Sequence, residues 1–291
     1  MSPDPIARVR RFNRAVTSAV GALDHSFLRR GRPLGAARVL NAIGQGRREI
    51  AEIRTYLDLD SGLLSRLLRS LEQEKLIVVG TAPDDARRRV ARLTPAGEAE
   101  FRAYERLSDR QAKGILARHA RPERLLAAMD LIAAALGQDR IEIEQTDPRG
   151  VLAKYCLGEY YAELARRFER GFDVSLSRDP EATAMMPPRG AFLLAKLDGA
   201  AIGCVGLKGT DGGYAEIKRL WVAPAARGLG LAHRLMAAAE EEARRLGIET
   251  LRLDTNSALP EAVALYRGTG WTEVPRFNDD PYPDTFFEKR L

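Results

Sequence analysis

Cysteine and histidine are scarce. The 291 residues hold two cysteines, Cys156 and Cys204, and three histidines, His25, His119 and His233. Two cysteines so far apart in sequence frame neither a disulfide scaffold nor a Cys-based zinc site. The scattered histidines give a His-based triad or a His-ligated metal little to work with, so no metal is expected. No apolar run reaches the ~18 residues of a spanning helix. The first residues, MSPDPIARVRRFNRAV, are amphipathic and lack the apolar centre of a signal peptide. A reducing cytoplasm is the expected compartment, with no membrane partner. Internal repeats and low-complexity segments are also missing.

What is present suits a globular chain of two domains. At roughly 100–200 residues per domain, 291 residues suggest two. Hydrophobic residues make up 45% and charged residues 30%, ordinary values for globular protein. The net charge of +6 is unevenly spread. Residues 1–139 hold 25 Lys and Arg against 17 Asp and Glu, a net of +8, whereas 140–291 hold 21 against 23, a net of −2. A basic first half points to a polyanion partner. An Arg-rich proteome would bias both halves alike.

Apolar spacing close to 3.6 predicts a helix over 6–28, ended by Pro33. Helices follow over 34–43, 47–57 and 61–75, the last introduced by Leu59-Asp60-Ser61, good N-cap chemistry. Short strands are expected over 77–79 and 90–93, with a polar hairpin tip over 82–89. Thr94-Pro95 opens a long helix to about residue 119, Thr capping it and Pro suiting its first position. A further helix covers 122–136. The domain boundary is expected near 137–139, giving domains 1–138 and 139–291. The second half reads as a strand over 141–145, a helix over 148–172, a proline-bearing loop over 178–190 and strands over 191–197, 201–207 and 214–222. A helix over 228–246, a strand over 250–254, a helix over 260–268 and two closing strands complete it. The expected class is therefore multidomain: a mainly-α winged helix-turn-helix domain followed by an α/β (α+β) domain with a central mixed, mostly antiparallel sheet.

Helix, tight turn, helix and two-stranded hairpin form a winged helix-turn-helix arrangement. The helix over 61–75 buries its leucines and leaves Ser65, Arg66, Arg69 and Gln73 toward solvent. Such a helix fits a major groove, where Arg is the commonest reader of guanine. The hairpin tip presents Arg87, Arg88 and Arg89 to phosphates or a narrow minor groove. Taken singly, a Leu-rich helix is usually core and an Arg run usually a solvated face. Their order gives them meaning. The segment LDSGLLSRLLRSLEQEKLIVV followed by DDARRRVARLTPAGE resembles the MarR family of transcriptional regulators over about residues 5–137. The resemblance implies that Asp85 braces the wing and Arg87 enters the minor groove. It also implies a homodimer built on helices 6–28, 98–119 and 122–136.

The chemistry of the second half lies in AEIKRLWVAP followed by AARGLGLAHRLMAAAEEEA. Arg227-x-x-Gly230-x-Ala232 falls between a strand and a helix, where successive free N–H groups form an anion site for a pyrophosphate. Gly228 and Gly230 let the backbone approach the phosphates. The loop lacks the Gly-Lys-Ser/Thr ending of a Walker loop. His233 stands where a dinucleotide fingerprint needs glycine. Together with Leu220-Trp221-Val222-Ala223-Pro224 and Ala264-Leu265-Tyr266-x-x-x-Gly270-Trp271, the loop resembles the GNAT superfamily of N-acetyltransferases over residues 140–291. The resemblance implies acetyl-CoA as co-substrate. The backbone of Leu220, Trp221 and Val222 would pair with its pantetheine arm. The amides of Arg227, Gly228, Leu229, Gly230, Leu231 and Ala232 would hold its pyrophosphate. Asn256 would lie beside the thioester, and Tyr266 would protonate the departing thiolate.

Strand alternation puts Glu216, Lys218, Leu220 and Val222 on one face, which makes Glu216 the candidate base. The alternative for Glu216 is a surface carboxylate. On the acceptor side the resemblance implies Tyr160, Tyr161, Arg167, Phe168, Arg170 and Phe172, bordered by 277–287. Aromatics with Arg suit a small amine bearing a carboxylate, such as an amino acid; core packing with solvated Arg is the plainer alternative. Three functions stay open. The chain is a regulator and N-acetyltransferase in one, or a regulator whose GNAT-like half only senses acetyl-CoA or a ligand, or an enzyme whose winged helix has become a dimerisation module.

Overall fold

The structure, a computed structural model, describes residues 4–82, 84–85, 87–176, 182 and 184–291. The expected hairpin tip at 82–89 therefore lies partly outside the described residues, at 83 and 86, and so does the loop at 178–190, at 178–181 and 183. Contacts divide the chain into two units, Met1–Pro122 and Glu123–Leu291.

In the first unit, helix α1 (Pro5–Ala19) starts under an Asp4 cap and is shorter than expected. Gly21, with φ +68°, takes the left-handed conformation just past its end, and the periodic apolar residues beyond it do not continue the helix. Helix α2 (Leu34–Gly44) is followed by α3 (Ile50–Leu57), not by a helix from residue 47. The chain before α3 instead runs along the wing: Glu49 bridges Val90, and Ala91 donates to the Arg48 carbonyl at 2.8 Å. Helix α4 (Ser61–Gln73) begins where Asp60 accepts from the Leu63 amide at 2.8 Å. Its buried Leu64, Leu68 and Leu71 pack with Val39, Leu40 and Ile53. Burying each leucine is worth roughly 1.5–3 kcal/mol, far more than the propensity of one turn. Strands β1 (Ile77–Thr81) and β2 (Arg89–Leu93) form the antiparallel wing.

Thr94 caps α5 (Pro95–Ala117) by accepting from Gly97 at 3.0 Å and donates to the Lys75 carbonyl at 2.7 Å. A side chain at Gly97 would meet the Leu76 carbonyl oxygen at 1.9 Å, so the Thr-Pro-x-Gly run fixes the close crossing of α5 over the start of the wing.

The second unit opens with α6 (Pro122–Leu136) and builds a seven-stranded sheet. Its strands are β3 (Glu142–Gln145), β4 (Ala191–Leu197), β5 (Ala200–Gly209), β6 (Ala215–Val222), β7 (Thr250–Thr255), β8 (Thr272–Glu273) and β9 (Thr285–Arg290). The order is β3-β4-β5-β6-β7-β9-β8, and only the β6–β7 pair is parallel. Helix α7 (Val151–Arg167) packs Ala153, Cys156 and Leu157 against Phe192, Leu194 and Cys204. Helix α8 (Leu231–Arg245) brings Leu231, Leu235 and Ala239 into a separate core with Leu193, Val205 and Ile217, joined by α9 (Pro260–Gly268) through Tyr266. The two cysteines, distant in sequence, share the α7 core, both fully buried and both free. Among the described residues, no helix is long and apolar enough to cross a membrane.

Candidate functional site

On the first unit, α4 turns Ser65, Arg66, Arg69 and Gln73 outward, all exposed, because its leucines hold the opposite face down. In the wing, Asp85 accepts from the Arg87 amide at 2.9 Å, a turn that leaves the Arg87 side chain exposed. Arg89 is exposed as well. Arg88 departs from the expectation of a free wing cation. Its guanidinium donates to Glu49 at 2.5 Å and also to Asp84. It fastens the wing to the chain before α3, and its charge is paired within the protein.

In the second unit a groove and a pocket meet. The groove starts where β6 and β7 part. Their last parallel rung is Ile217 with Leu253, so beyond it the β7-facing edge of β6 is free of that partner. Leu220, Trp221 and Val222 line the groove, which runs to Arg227, Gly228, Gly230, Leu231 and Ala232 and is walled by Ala264 and Leu265 of α9. Gly228 and Gly230 have φ of +76° and +74°, and a Cβ at either would meet nothing within 4 Å. In this structure their requirement is conformational rather than one of space. Gly230 is the N-cap of α8 with no side chain capping it, which leaves first-turn amides for an anion.

The Leu229 side chain turns away from the groove, and one expected cofactor contact, Asn256, falls elsewhere. Leu229 is partly buried against the α8 core, and its carbonyl accepts from Gln138 at 2.9 Å. Asn256 does not line the groove. Its amide donates to the Tyr282 carbonyl at 2.6 Å and accepts from the Ala258 amide at 2.8 Å, shaping the acceptor side instead. The Arg227 side chain is tied inward, to the Val222 carbonyl at 3.0 Å and to Glu163 at 2.5 Å. Glu163 also accepts from the Trp221 indole at 3.2 Å, a brace from α7 that the sequence did not reveal.

The pocket adjoins the groove at Tyr160, Leu164, Leu220, Leu259 and Ala262. Tyr161, Phe168, Phe172 and Tyr282 form an aromatic wall, with ring centroids 5.7 Å apart for Tyr161–Phe172 and 4.6 Å for Phe172–Tyr282. Arg167 and Arg170 are outside this pocket. Arg167 is committed to Glu261 at 2.6 and 2.8 Å. The charged residues lining the pocket, among those described, are Lys208, Lys218, Arg219, Asp254 and Asp280. Tyr266 lines it too; burial first, and the Asp254 charge second, hold its hydroxyl well above the usual tyrosine range, so it carries its proton at neutral pH. Burial opposes the charge on Lys218, but Asp254 and Glu216 outweigh it and raise its pKa.

Glu216 is not on the pocket wall. A bulge also takes it off the face of Leu220 and Val222. Arg219 has φ +58°, and the β5–β6 register shifts there, Cys204 facing Trp221 but Gly206 facing Lys218. The extra residue reverses the alternation. Ile217 and Val222 consequently face the α8 core together, with Leu220 packed against it, so Glu216 and Lys218 do not share a face with Leu220 and Val222. Glu216 is 3% exposed, lies directly opposite Lys208 and beside Arg252 across the strands, and sits 3.4 Å from the Lys218 ammonium. Two carboxylates reach the pocket, Asp254 and Asp280, and Asp254 receives Lys218 at 2.8 and 2.7 Å and Asn278 at 2.5 Å. Period-2 reading missed it, since neither the bulge nor the parallel pairing of β6 with β7 leaves a mark in the pattern of either strand.

This is the layout of an acyl-CoA-dependent acyltransferase domain behind a winged helix. The family profile of the GNAT acetyltransferases matches residues 157–271, and that of the MarR family matches residues 30–88. An IAA acetyltransferase of Azospirillum brasilense is 40% identical over 105 residues, 34% of this chain and 67% of that protein. An aminoalkylphosphonate N-acetyltransferase of Salmonella typhimurium is 30% identical over 118 residues, 39% of this chain and 77% of that protein. A crystal structure of Streptococcus pneumoniae FabT in complex with DNA is 16% identical with a TM-score of 0.40, covering 46% of this chain and 98% of that one. The chain belongs to the GNAT acetyltransferase family and carries a MarR family domain ahead of its N-acetyltransferase domain.

Proposed function

We propose that the chain transfers acetyl from acetyl-CoA to a small primary amine and binds duplex DNA, acting as a cytoplasmic homodimer. The observation that carries the transferase reading is the groove: a strand edge released by the parting of β6 and β7 leads onto the uncapped N-terminus of α8. A pantetheine arm would pair along Leu220–Val222, and the diphosphate would sit on the amides from Gly228 to Ala232. The amine attacks the thioester directly. Tyr266, protonated and at the pocket, gives its proton to the leaving thiolate. Glu216 serves as a positioning residue, its charge steadying Lys218.

An aromatic wall beside charged groups of both signs suits an amine that also bears an anionic group, such as an amino acid. The Salmonella relative is named for an aminoalkylphosphonate, an amine of that type. For DNA, exposed Ser65, Arg66 and Arg69 would enter the major groove, with Arg87 and Arg89 on the flanking backbone or minor groove. Helix α1 has no buried residue and exposes Ile6, Val9, Phe12 and Val16, which supports a dimer built on the first half. We keep α6 as the last helix of that half, residues 1–138, although its contacts group it with the second unit. The test is thiol release by the full chain from acetyl-CoA with L-amino acids and aminoalkylphosphonates. Release with at least one is expected; acetyl-CoA binding without release from any would leave a sensor.

A further inference from the structure

Asp254 stands one residue past the last β6–β7 rung, at the point where the strands part. Its side chain is 9% exposed and lines the pocket together with Tyr266 and Tyr160. One carboxylate oxygen, Oδ2, accepts from both Lys218 and Asn278, whereas Oδ1 accepts from Lys218 alone. A carboxylate oxygen has two lone-pair sites, so Oδ1 keeps one for a ligand. Glu216, by contrast, is outside the pocket lining and hemmed between Lys208 and Arg252.

We propose that Asp254 is the group that receives the proton of the acceptor ammonium. The assignment rests on the acetyltransferase reading above. Asp254 Oδ1 takes one proton from the bound ammonium, and the freed amine attacks the thioester carbonyl carbon. The C–N bond forms and the carbonyl π pair moves to oxygen. Collapse breaks the C–S bond, its electron pair leaves on sulfur, and the Tyr266 hydroxyl protonates the thiolate. The surplus proton on nitrogen restores Tyr266, and Asp254 returns its proton to water. One ammonium and one thioester give one amide, one thiol and one proton.

Several groups face Asp254. Lys218 and Glu216 come from β6, Lys208 from β5, Tyr160 from α7, Tyr266 from α9 and Asp280 from the loop before β9; Arg219 of the bulge completes the pocket's charged lining. Lys218 is the cation in contact. It fixes the direction of the carboxylate through both oxygens, so Lys218 is a positioning residue.

The experiment compares the wild-type full chain with Asp254→Asn, Glu216→Gln and Lys218→Met. The acceptor probe is whichever of the L-amino acids and 2-aminoethylphosphonate gives the fastest thiol release with wild type. Acetyl-CoA affinity is measured by calorimetry and folding by thermal melting. Asp254→Asn should lose roughly 10²–10⁴-fold in kcat, the usual worth of a general base, with acetyl-CoA affinity unchanged. Glu216→Gln should lose less than tenfold. In Lys218→Met the carboxylate loses the partner that fixes its direction, so kcat should fall at least tenfold while acceptor KM and acetyl-CoA affinity stay within twofold. A merely structural carboxylate would leave that split between kcat and KM absent. Asp254→Asn within tenfold of wild type, or an unchanged kcat in Lys218→Met, overturns the assignment while wild-type turnover keeps the acetyltransferase reading intact. A wild type that releases no thiol with any probe overturns both.

Discussion

On helix α4, Arg66 and Arg69 stand in solvent with no ion pair among the described residues. In the transferase pocket, Lys218 is pinned by Asp254 and stands beside Glu216. The same kinds of side chain are held in opposite ways, and the difference fits the two proposed roles. A polyanion is drawn by cations that keep their charge unspent and shed counterions on contact. A proton-transfer site needs charges fixed in direction, and the partners that fix them must be buried beside them. The wing contains both modes on adjacent residues, with Arg87 and Arg89 exposed and Arg88 tied to Glu49.

Variants that cut one mode and spare the other sharpen this contrast. The largest effect should come from Tyr266→Phe, which removes one proton donor from the fixed site. Turnover should fall roughly 10²–10⁴-fold, acetyl-CoA affinity should barely move, and retained wild-type turnover would take Tyr266 out of the mechanism. Next is Gly230→Glu. A side chain in the left-handed conformation costs about 1–2 kcal/mol, and the carboxylate repels a diphosphate. Calorimetry should read acetyl-CoA binding about ten- to a hundredfold weaker, with DNA binding untouched; unchanged affinity would move the diphosphate off this loop. Arg66→Ala should cost about 1–3 kcal/mol at one base position and relax preference there, read by titrating single-base operator variants. Arg88→Ala should be the mildest, since exposed ion pairs are worth about 0–1 kcal/mol. Its DNA affinity should fall less than that of Arg87→Ala, and the reverse order would put the Arg88 guanidinium on the nucleic acid.

Elements held by local signals were legible from sequence. Asp60 before α4 and Thr94-Pro95 before α5 each appear where their chemistry predicts. The exposed face of α4 followed directly from its leucine spacing. Features set by partners distant in sequence were not legible. Glu49 captures Arg88 across 39 residues, and Asp254 meets Lys218 across 36. The bulge at Arg219 reverses a face with no glycine or proline to announce it. The cysteines show the same limit, since sequence distance did not keep Cys156 and Cys204 out of one buried cluster. The groove was legible because a glycine-bearing loop between strand and helix states its backbone conformation locally.

The central claim is that one chain pairs an unspent cationic surface for DNA with a fixed-charge site for acetyl transfer. Selection of genomic fragments by the full chain tests it most directly. Enriched fragments are then titrated at two salt concentrations against wild type and an Arg66→Ala, Arg87→Ala double variant. The account predicts enrichment of defined fragments, affinity that falls steeply with salt and a clear loss in the double variant. No enrichment, with the double variant matching wild type on random duplex, would contradict it and leave the first unit a dimerisation module.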